Sequence, residues 1–410
     1  MMFDNSPLYY VESNFDGTRY ILYDLAKWKN GLAFKKIDFS DNGGIPVIKI
    51  AELNNGLGST TAYTKGVYDD EFYLEFGDFL FSWSGNPQTS IDIFRFQLKN
   101  GWLNQHIFKV TPNESVIYKE FFFYVMKWLK PNFTDIATNK QTTGLGHVTI
   151  SDLKRLSVVI PDMELQRKIG DFLHSVDRKI ALNTAINENL LQQAVAIFDN
   201  ALEQSKHISH AELGSFADVK GGKRLPKGVN LITTPNLHPY IRVRDLNDVV
   251  FASLSANYEY VDDETQKTIS RYITSTGDVL ISIVGTIGLT AIVDKSLDKA
   301  NLTENCVKVT NLRGVSPEYL ILFLRSQNGV KEIQKGTVGA VQAKLPIKNI
   351  QSINIPLLPQ SEMQSLNNTL TTLFSQISTN TAESKCLAGI RDSLLPQLMN
   401  GEIDVSAVEI

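Results

Sequence analysis

The residues most suited to chemistry are basic side chains grouped around glycine in two loops, one in each half of the sequence. The first loop centres on Gly31, close to Trp28, and the second on Gly221 and Gly222. The basic residues are Lys29, Lys35 and Lys36 in the first loop and Lys220, Lys223, Arg224 and Lys227 in the second. Lysine and arginine neutralise phosphates and donate hydrogen bonds to base edges. Because the grouping occurs twice at matching places, it favours contact with nucleic acid. The alternative is a pair of solvated basic loops.

A polar run from Ser82 to Ser90 is the second candidate surface. Amide side chains can pair with adenine, and an indole can stack on a base. The alternative is a polar turn around a core tryptophan. The candidates are Trp83, Asn86, Gln88 and Thr89 in this run, and His147, Gln342 and Lys344 in the segments before two long helices, where residues often only cap or turn. The matching run from Ser282 to Leu289 is rich in glycine and apolar residues, so the two halves should read different sequences.

The sequence offers no catalytic centre. Asn86-Pro87-Gln88 does not match the Asn/Asp-Pro-Pro-aromatic loop of an adenine methylase, and Gly221-Gly222-Lys223 lacks the P-loop frame. The histidines and carboxylates show no metal-ligand spacing. The two cysteines, Cys306 and Cys386, exclude a disulfide framework and suit a reducing cytoplasm. We therefore expect a non-catalytic cytoplasmic protein that itself holds no cofactor and no metal. No stretch approaches about 18 uninterrupted apolar residues, so no membrane span is expected.

Charge is distributed unevenly along the 410 residues, whose net charge is −4. Two globular segments, 17–160 and 206–358, carry a slight excess of basic residues, whereas the long helices and the N-terminal arm carry the excess of acid. The distribution of charge, rather than its total, determines whether a phosphate-binding face exists. A chain of this length is expected to form two or three domains.

Two long helices must position the candidate surfaces. From Pro161, and again from Pro359, apolar residues step by alternating threes and fours, which is typical of a coiled-coil seam. The predicted packing positions are Leu173, Val176, Ile180, Asn183, Leu190 and Ile197 in the first helix and Leu366, Leu370, Leu373, Ile377, Asn380, Leu387 and Leu394 in the second. Polar residues interrupt each seam near its middle, with Asn187 beside Asn183 and Ser384 beside Asn380. In an antiparallel pair they would form one layer that fixes the register.

The chain repeats itself. Gly77-Asp78-Phe79-Leu80 is matched by Gly277-Asp278-Val279-Leu280, and Pro161, Glu164 and Gln166 are matched by Pro359, Glu362 and Gln364. We therefore predict an α+β protein with two β-rich globular domains that are related by pseudo-twofold symmetry and separated by two long antiparallel coiled-coil helices. The predicted segments are an arm (1–16), a first domain (17–160), a central helix (161–205), a second domain (206–358), a C-terminal helix (359–401) and a tail (402–410).

Particular runs resemble one family over essentially the whole chain. The segments Gly339 to Leu345 and Ile355 to Pro359 resemble the junction into the second helix of type I restriction-modification specificity subunits, and Leu394 to Ile403 resembles their C-terminal end. The runs Phe81 to Ser90 and Trp102 to His106 are similar to one class of their target recognition domain. This resemblance implies two target recognition domains, each of which reads one half of a bipartite, asymmetric site in double-stranded DNA.

The same resemblance implies the partners. The helices would set the separation of the half-sites and dock two methylation subunits, and restriction or motor subunits would join the assembled complex. S-adenosylmethionine, ATP and Mg would be bound by those partner subunits. Two alternatives remain open from the sequence: a fused methylase-nuclease polypeptide, and a coiled-coil scaffold that bridges proteins without reading DNA. Net acidity fits the scaffold better than it fits a DNA-binding protein.

Overall fold

The computed structural model describes residues 9–41, 43–141, 144–255, 257–339 and 342–403. Residues 1–8 of the predicted arm and 404–410 of the predicted tail therefore lie outside the described residues, as do Ala340 and Val341. The chain divides into two compact units, one formed by Met1–Ala181 with Lys385–Ile410 and the other by Leu182–Ser384. Each unit combines strands with helices, and the α+β class is confirmed. The division into six segments stays a prediction.

The first unit holds thirteen of the described strands, four short helices and part of each long helix. Its strands are β1 (Tyr9–Tyr10), β2 (Thr18–Ile21), β3 (Ala26–Asn30), β4 (Ile45–Ile48), β5 (Tyr63–Thr64), β6 (Tyr73–Glu75), β7 (Phe79–Ser82), β8 (Ser84–Gly85), β9 (Asp92–Arg95), β10 (Asn100–Leu103), β11 (Ile107–Pro112), β12 (Gly146–His147) and β13 (Leu156–Ile160). Its helices are α1 (Ile50–Asn55), α2 (Lys119–Trp128), α3 (Lys130–Asn139), α4 (Ile150–Leu153) and the first long helix, α5 (Met163–Gln204), which continues into the second unit.

The central sheet of the first unit has the order β3-β11-β7-β9 and is antiparallel throughout. Strand β7 is buried at all four positions. Phe79 and Phe81 face the core that contains α2, while Leu80 faces a second core shared with β4 and β10. A strand covered on both faces reads as a continuous apolar run rather than an alternating one, which explains Phe79-Leu80-Phe81. The apolar run from Glu120 to Leu129 is too long for a buried strand and predicts a core helix, and it forms most of α2.

The second unit follows the same plan. Its strands are β14 (Ser209–Glu212), β15 (Asp218–Gly221), β16 (Tyr240–Ile241), β17 (Phe251–Ala252), β18 (Val279–Ser282), β19 (Thr290–Val293), β20 (Asn301–Leu302), β21 (Cys306–Thr310) and β22 (Asn354–Leu357). Its helices are α6 (Leu213–Phe216), α7 (Asp263–Ile269), α8 (Pro317–Arg325), α9 (Gln327–Gly336), α10 (Ile347–Gln351) and the second long helix, α11 (Gln360–Met399), which continues into the first unit.

Strand pairing confirms the predicted duplication. The order β15-β21-β18-β19 repeats β3-β11-β7-β9, and the parallel pair β16–β20 repeats β4–β10. An ion pair also recurs, partly exposed in the first unit and more deeply buried in the second: Lys109 meets Asp78 at 2.7 Å, and Lys308 meets Asp278 at 2.9 Å. In each case a lysine of the central strand reaches the aspartate that precedes the next strand, so both units use the same internal contact to hold that turn.

Within each unit the two long helices contact one another, and in the second unit they run antiparallel, because Asn183 donates to Ser384 whereas Asn187 donates to Thr381. In the first unit Asp177 of α5 meets Arg391 of α11 at 2.6 Å. In the second unit Asn183 is 1% exposed and Asn380 is 6% exposed, while Asn187 and Ser384 beside them are half-buried. Asn380 Nδ2 donates to Asn187 Oδ1 at 2.9 Å, so polar side chains from both helices meet in one layer. The predicted polar layer is confirmed.

One predicted packing position is wrong. Ile197 is 36% exposed, whereas its neighbour Phe198 is 2% exposed and packs in the core of the second unit. Ala194 is fully buried, so the buried stripe advances here by four residues instead of the predicted three. An unstrained α-helix has about 3.6 residues per turn, so a strict alternation of threes and fours drifts away from the packed face.

Candidate nucleic-acid interface

Trp83 is partly buried and lies at the edge of the core of the first unit. It follows β7, and its indole stacks on Phe108 with ring centroids 5.8 Å apart, while His106 lies 5.7 Å away at a tilted angle. The indole Nε1 donates a hydrogen bond to Asn30 Oδ1 at 3.0 Å. The two ring contacts and the hydrogen bond hold the indole in place, so Trp83 is suited to position its neighbours.

The polar turn after Trp83 is shaped by Asn86. Its Oδ1 accepts hydrogen bonds from the backbone N–H of Gln88 at 2.9 Å and of Thr89 at 3.3 Å. This is an Asx turn, in which an asparagine side chain replaces a backbone acceptor. Gln88 and Thr89 are exposed at its tip. Of the three candidates, Asn86 therefore holds the loop, and Gln88 and Thr89 are presented to solvent.

His147 lies beside Trp83 although the two are far apart in sequence. Strand β12 pairs with β8, which places His147 opposite Ser84. The backbone N–H of Val148 then donates to the Trp83 carbonyl at 2.8 Å. Gly146, the other residue of β12, lies so close to α3 that a Cβ there would overlap the carbonyl oxygen of Ala137. The structure thus places the backbone at His147 beside the backbone at Trp83.

The lysines of the first loop are placed differently. Lys29 forms an ion pair with Glu71, and its Nζ lies 4.3 Å from the centre of the Phe72 ring. Lys29 and Asn30 are successive residues of β3, so their side chains point to opposite faces of the sheet. Lys29 is therefore separated from the surface around Trp83. Lys35 and Lys36 are exposed at the start of a short 3-10 turn, Lys36–Asp38.

The glycines in the two loops have one structural role. A Cβ on Gly31 would overlap the carbonyl oxygen of Asn104, and a Cβ on Gly222 would overlap that of Thr303. Each glycine lets the loop lie directly against the turn that follows β10 or β20. The residue after the glycine then donates a backbone hydrogen bond to the last residue of that strand, Leu103 or Leu302. That bond is 2.9 Å for Leu32 in the first unit and 2.8 Å for Lys223 in the second.

The basic residues of the second loop lie at the surface. Lys220 meets Asp218 at 3.4 Å, and Lys223 Nζ lies 5.5 Å from the centre of the Tyr272 ring. The side chain of Arg224 is 80% exposed and meets Glu304 at 2.8 Å. Burial opposes ionisation of Glu304, but hydrogen bonds from Arg224 and from Thr303 outweigh it and lower the pKa of the carboxyl group. Lys227 is also exposed.

Lys344 occupies the position in the second unit that His147 occupies in the first. Its backbone exchanges two hydrogen bonds of 2.9 Å with Val338. Lys344 also forms an antiparallel β-bridge with Val284, as His147 pairs antiparallel with Ser84 in the first unit. Lys344 is exposed, as is Gln342 beside it. Ile283 is the counterpart of Trp83. Its carbonyl accepts a hydrogen bond from the backbone N–H of Leu345, just as the Trp83 carbonyl accepts one from Val148. Equivalent positions thus carry different chemistry.

Sequence reasoning missed Asn30 and His106. Both flank Trp83, yet 53 residues separate Asn30 from Trp83 along the chain. The available signal was the strand pairing, since β3 and β7 both pair with β11 and so bring their ends together. Among the residues that the structure describes, no group of histidine, cysteine and carboxylate side chains could hold a metal ion. In the same parts of the chain, none of the helices has the length and apolar character of a membrane span.

The family model for the type I restriction modification DNA specificity domain matches residues 18–192 and again residues 208–387. The chain therefore belongs to this family, and the two matches fall on the two halves of the duplication. It is similar to the type I restriction enzyme HindI specificity subunit of Haemophilus influenzae, at 23% identity over 72% of this chain and 79% of that protein. It is also similar to the EcoBI specificity subunit of Escherichia coli, at 20% identity over 98% of this chain and 91% of that protein.

The fold has a solved counterpart. The S subunit of a type I restriction-modification system from M. genitalium superposes with a TM-score of 0.58 at 16% sequence identity, covering 96% of this chain and 98% of that one. At this identity the likeness concerns the fold. It extends along nearly the full length of both chains, and thus includes the long helices as well as the β-rich parts.

Proposed function

We propose that this chain is the DNA specificity subunit of a type I restriction-modification complex, and that each β-rich domain reads one half of a bipartite, asymmetric site in double-stranded DNA. One observation carries the proposal: the same scaffold occurs twice, with different side chains at matching surface positions. Trp83 and His147 in the first unit correspond to Ile283 and Lys344 in the second. Two copies of one scaffold with unlike surfaces suit a site whose halves differ in sequence.

The long helices would set the distance between the half-sites and dock two methylation subunits. Helix α5 has 42 residues and α11 has 40. At a rise of about 1.5 Å per residue each is on the order of 60 Å long, which exceeds the roughly 34–36 Å between half-sites one DNA turn apart. The buried polar layer around Asn183 and Asn380 supports this role, because a fixed register gives a fixed spacing.

The complex would divide its chemistry among its subunits. This chain would be non-catalytic and act in the cytoplasm, and the methylation and restriction subunits would bind S-adenosylmethionine, ATP and Mg. The candidate DNA contacts include exposed hydrogen-bonding and basic side chains such as Gln88, Thr89 and Lys344, but segments 17–160 and 206–358 each carry only a slight excess of basic residues. We therefore expect weak DNA binding by the isolated chain and tight binding only with the methylation subunits. Tight, specific binding by the isolated chain would contradict this.

The test is to co-express the chain with its methylation subunits and to map methylated positions in the host genome. We expect one motif of two defined half-sites separated by a gap of fixed length, absent when the chain is omitted. A bridging scaffold would give no motif dependent on the chain, and a methylase-nuclease would methylate DNA without partners. DNA binding by the complex should also weaken steeply as salt rises, because phosphate contacts release counterions.

A further inference from the structure

Asn30 holds an exposed amide whose orientation is fixed. It is the last residue of β3 and pairs with Phe108 of β11. Its Oδ1 accepts the hydrogen bond from Trp83 Nε1 at 3.0 Å. The indole nitrogen can only donate, so it must face the amide oxygen and not the amide nitrogen. The two ends of the Asn30 amide are thereby distinguished, and Nδ2 is the end turned away from Trp83.

The backbone under Asn30 is equally constrained. Gly31, the next residue, packs so closely on Asn104 that it has no room for a Cβ, and its N–H donates to the Ile107 carbonyl at 3.2 Å. Trp83 in turn is held by its stacking on Phe108. A hydrogen-bonding group that is fixed by its own neighbours loses little conformational entropy on binding and discriminates well between ligands.

The Nδ2 group is free to bind a ligand. Among the residues that the structure describes, none accepts a hydrogen bond from it, and the Asn30 side chain is exposed. In the major groove, guanine, adenine and thymine each present at least one acceptor, whereas cytosine presents only its N4 donor. An amide fixed with its donor outward therefore accepts the first three bases and rejects cytosine.

We propose that Asn30 is a specificity-determining residue that donates from Nδ2 to an acceptor on the major-groove edge of one base, and that Trp83 is the positioning residue that holds the amide in this orientation. This inference rests on the proposed function. It concerns one half-site only, because the residue that pairs in the second unit as Asn30 does in the first is Gly221, opposite Val307. Glycine has no side chain with which to read a base.

Two substitutions invert or relax the predicted preference. In Asn30→Asp one carboxylate oxygen still accepts from Trp83, while the other now offers an acceptor where the amide offered a donor. The preferred base should change to cytosine or adenine, whose exocyclic amino groups donate. In Trp83→Phe an aromatic ring remains against Phe108, but the indole N–H is lost. The Asn30 amide can then rotate and exchange the positions of its oxygen and nitrogen. Discrimination at that single position should then fall roughly tenfold or more.

The measurement is the methylation rate of the assembled complex on a library of sites with each half-site randomised in turn. Relative rates within one variant report base preference whether or not that variant is less active overall. Trp28→Phe is the matched control: it removes an indole N–H from the same sheet, but that N–H donates to the Tyr23 carbonyl and not to Asn30. It should leave the preference unchanged. Lys344→Ala should affect only the other half-site.

The outcomes separate the inference from the proposed function. If the wild-type complex yields no bipartite motif, the proposed function fails. If it yields one and Asn30→Asp leaves every position of both half-sites unchanged, the role of Asn30 is refuted while the proposed function stands. If Asn30→Asp changes the preference but Trp83→Phe changes it no more than Trp28→Phe does, the positioning role of Trp83 is refuted.

Discussion

The corrected register of α5 can be tested with two adjacent residues. Phe198 is 2% exposed and forms an edge contact with Tyr319, with ring centroids 5.0 Å apart. Replacing a buried phenylalanine by alanine costs about 3–5 kcal/mol, which includes the lost burial, the cavity and the lost aromatic contact. Ile197 is 36% exposed, so Ile197→Ala removes much less buried surface and should cost about 1 kcal/mol.

Thermal unfolding of the full-length chain measures the difference. For a unit of about 200 residues, 1 kcal/mol lowers the Tm by roughly 2–4 °C. We expect Phe198→Ala to lower the Tm of the second unit by roughly 6–20 °C and Ile197→Ala by roughly 2–4 °C. Hydrogen exchange of α8, which contains Tyr319, assigns the transition to this unit.

The control is Ala194→Gly, which removes a fully buried methyl group on the same face without touching either residue. It should cost about 1–2 kcal/mol, since it combines lost burial with the poor helix propensity of glycine. The contrary result is that Ile197→Ala destabilises the second unit as much as Phe198→Ala or more. That result would show that the helix packs with the alternation of threes and fours inferred from the sequence, and would refute the four-residue step from Ala194 to Phe198.

Three further perturbations test the helices and one buried carboxylate. Replacing Asn380 by Leu should lower the stability of the second unit by about 1–3 kcal/mol, because Asn187 loses its hydrogen-bond donor. Replacing both Asn187 and Asn380 by Leu should cost less than the two single replacements added together. Strictly additive losses of stability would contradict the shared polar layer. A four-residue insertion in each long helix should lengthen the gap in the methylated motif and leave both half-sites intact, and an unchanged gap would contradict the spacing role. Asp152→Asn should lower the Tm at neutral pH. Burial opposes ionisation of Asp152, but hydrogen bonds from Lys140 and Thr149 lower its pKa, so its stabilisation is complete above the ordinary carboxyl pKa and is lost as pH falls through the lower folded value. The difference in Tm from wild type should therefore close below about pH 4, and a difference that persists in stronger acid would refute this assignment.

The duplication could be predicted from the sequence because a β-strand and its turn require particular residue types at particular positions. Gly77 and Gly277 occupy matching turns with φ of 93° and 85°, a left-handed conformation that favours glycine. The aspartate after each glycine then pairs with a lysine of the central strand. Such constraints act within a few residues, so both copies of the unit retain them and their order reveals the fold.

The site was only partly readable, for two physical reasons. Side-chain direction in a strand alternates between faces, so Lys29 and Asn30, adjacent in sequence, lie on opposite sides of the sheet. The sequence suggested the lysine, but the structure places the asparagine beside Trp83. Hydrogen bonds across a sheet, such as that from Trp83 to Asn30, depend on strand order and register, and neither follows from local composition.

The two units separate the residues that build the scaffold from those that face outward. The lysine–aspartate pair, the glycine that passes over a strand turn and the order of the central sheet occur in both units. Asn30 and Trp83, by contrast, correspond to Gly221 and Ile283 in the second unit. A duplicated scaffold gives each surface the same rigid support, so a substitution at one surface position can change what one unit contacts without disturbing the other. The free energy of folding and the choice of bases then depend on largely separate sets of residues, and a change in one half-site should leave the other half-site intact.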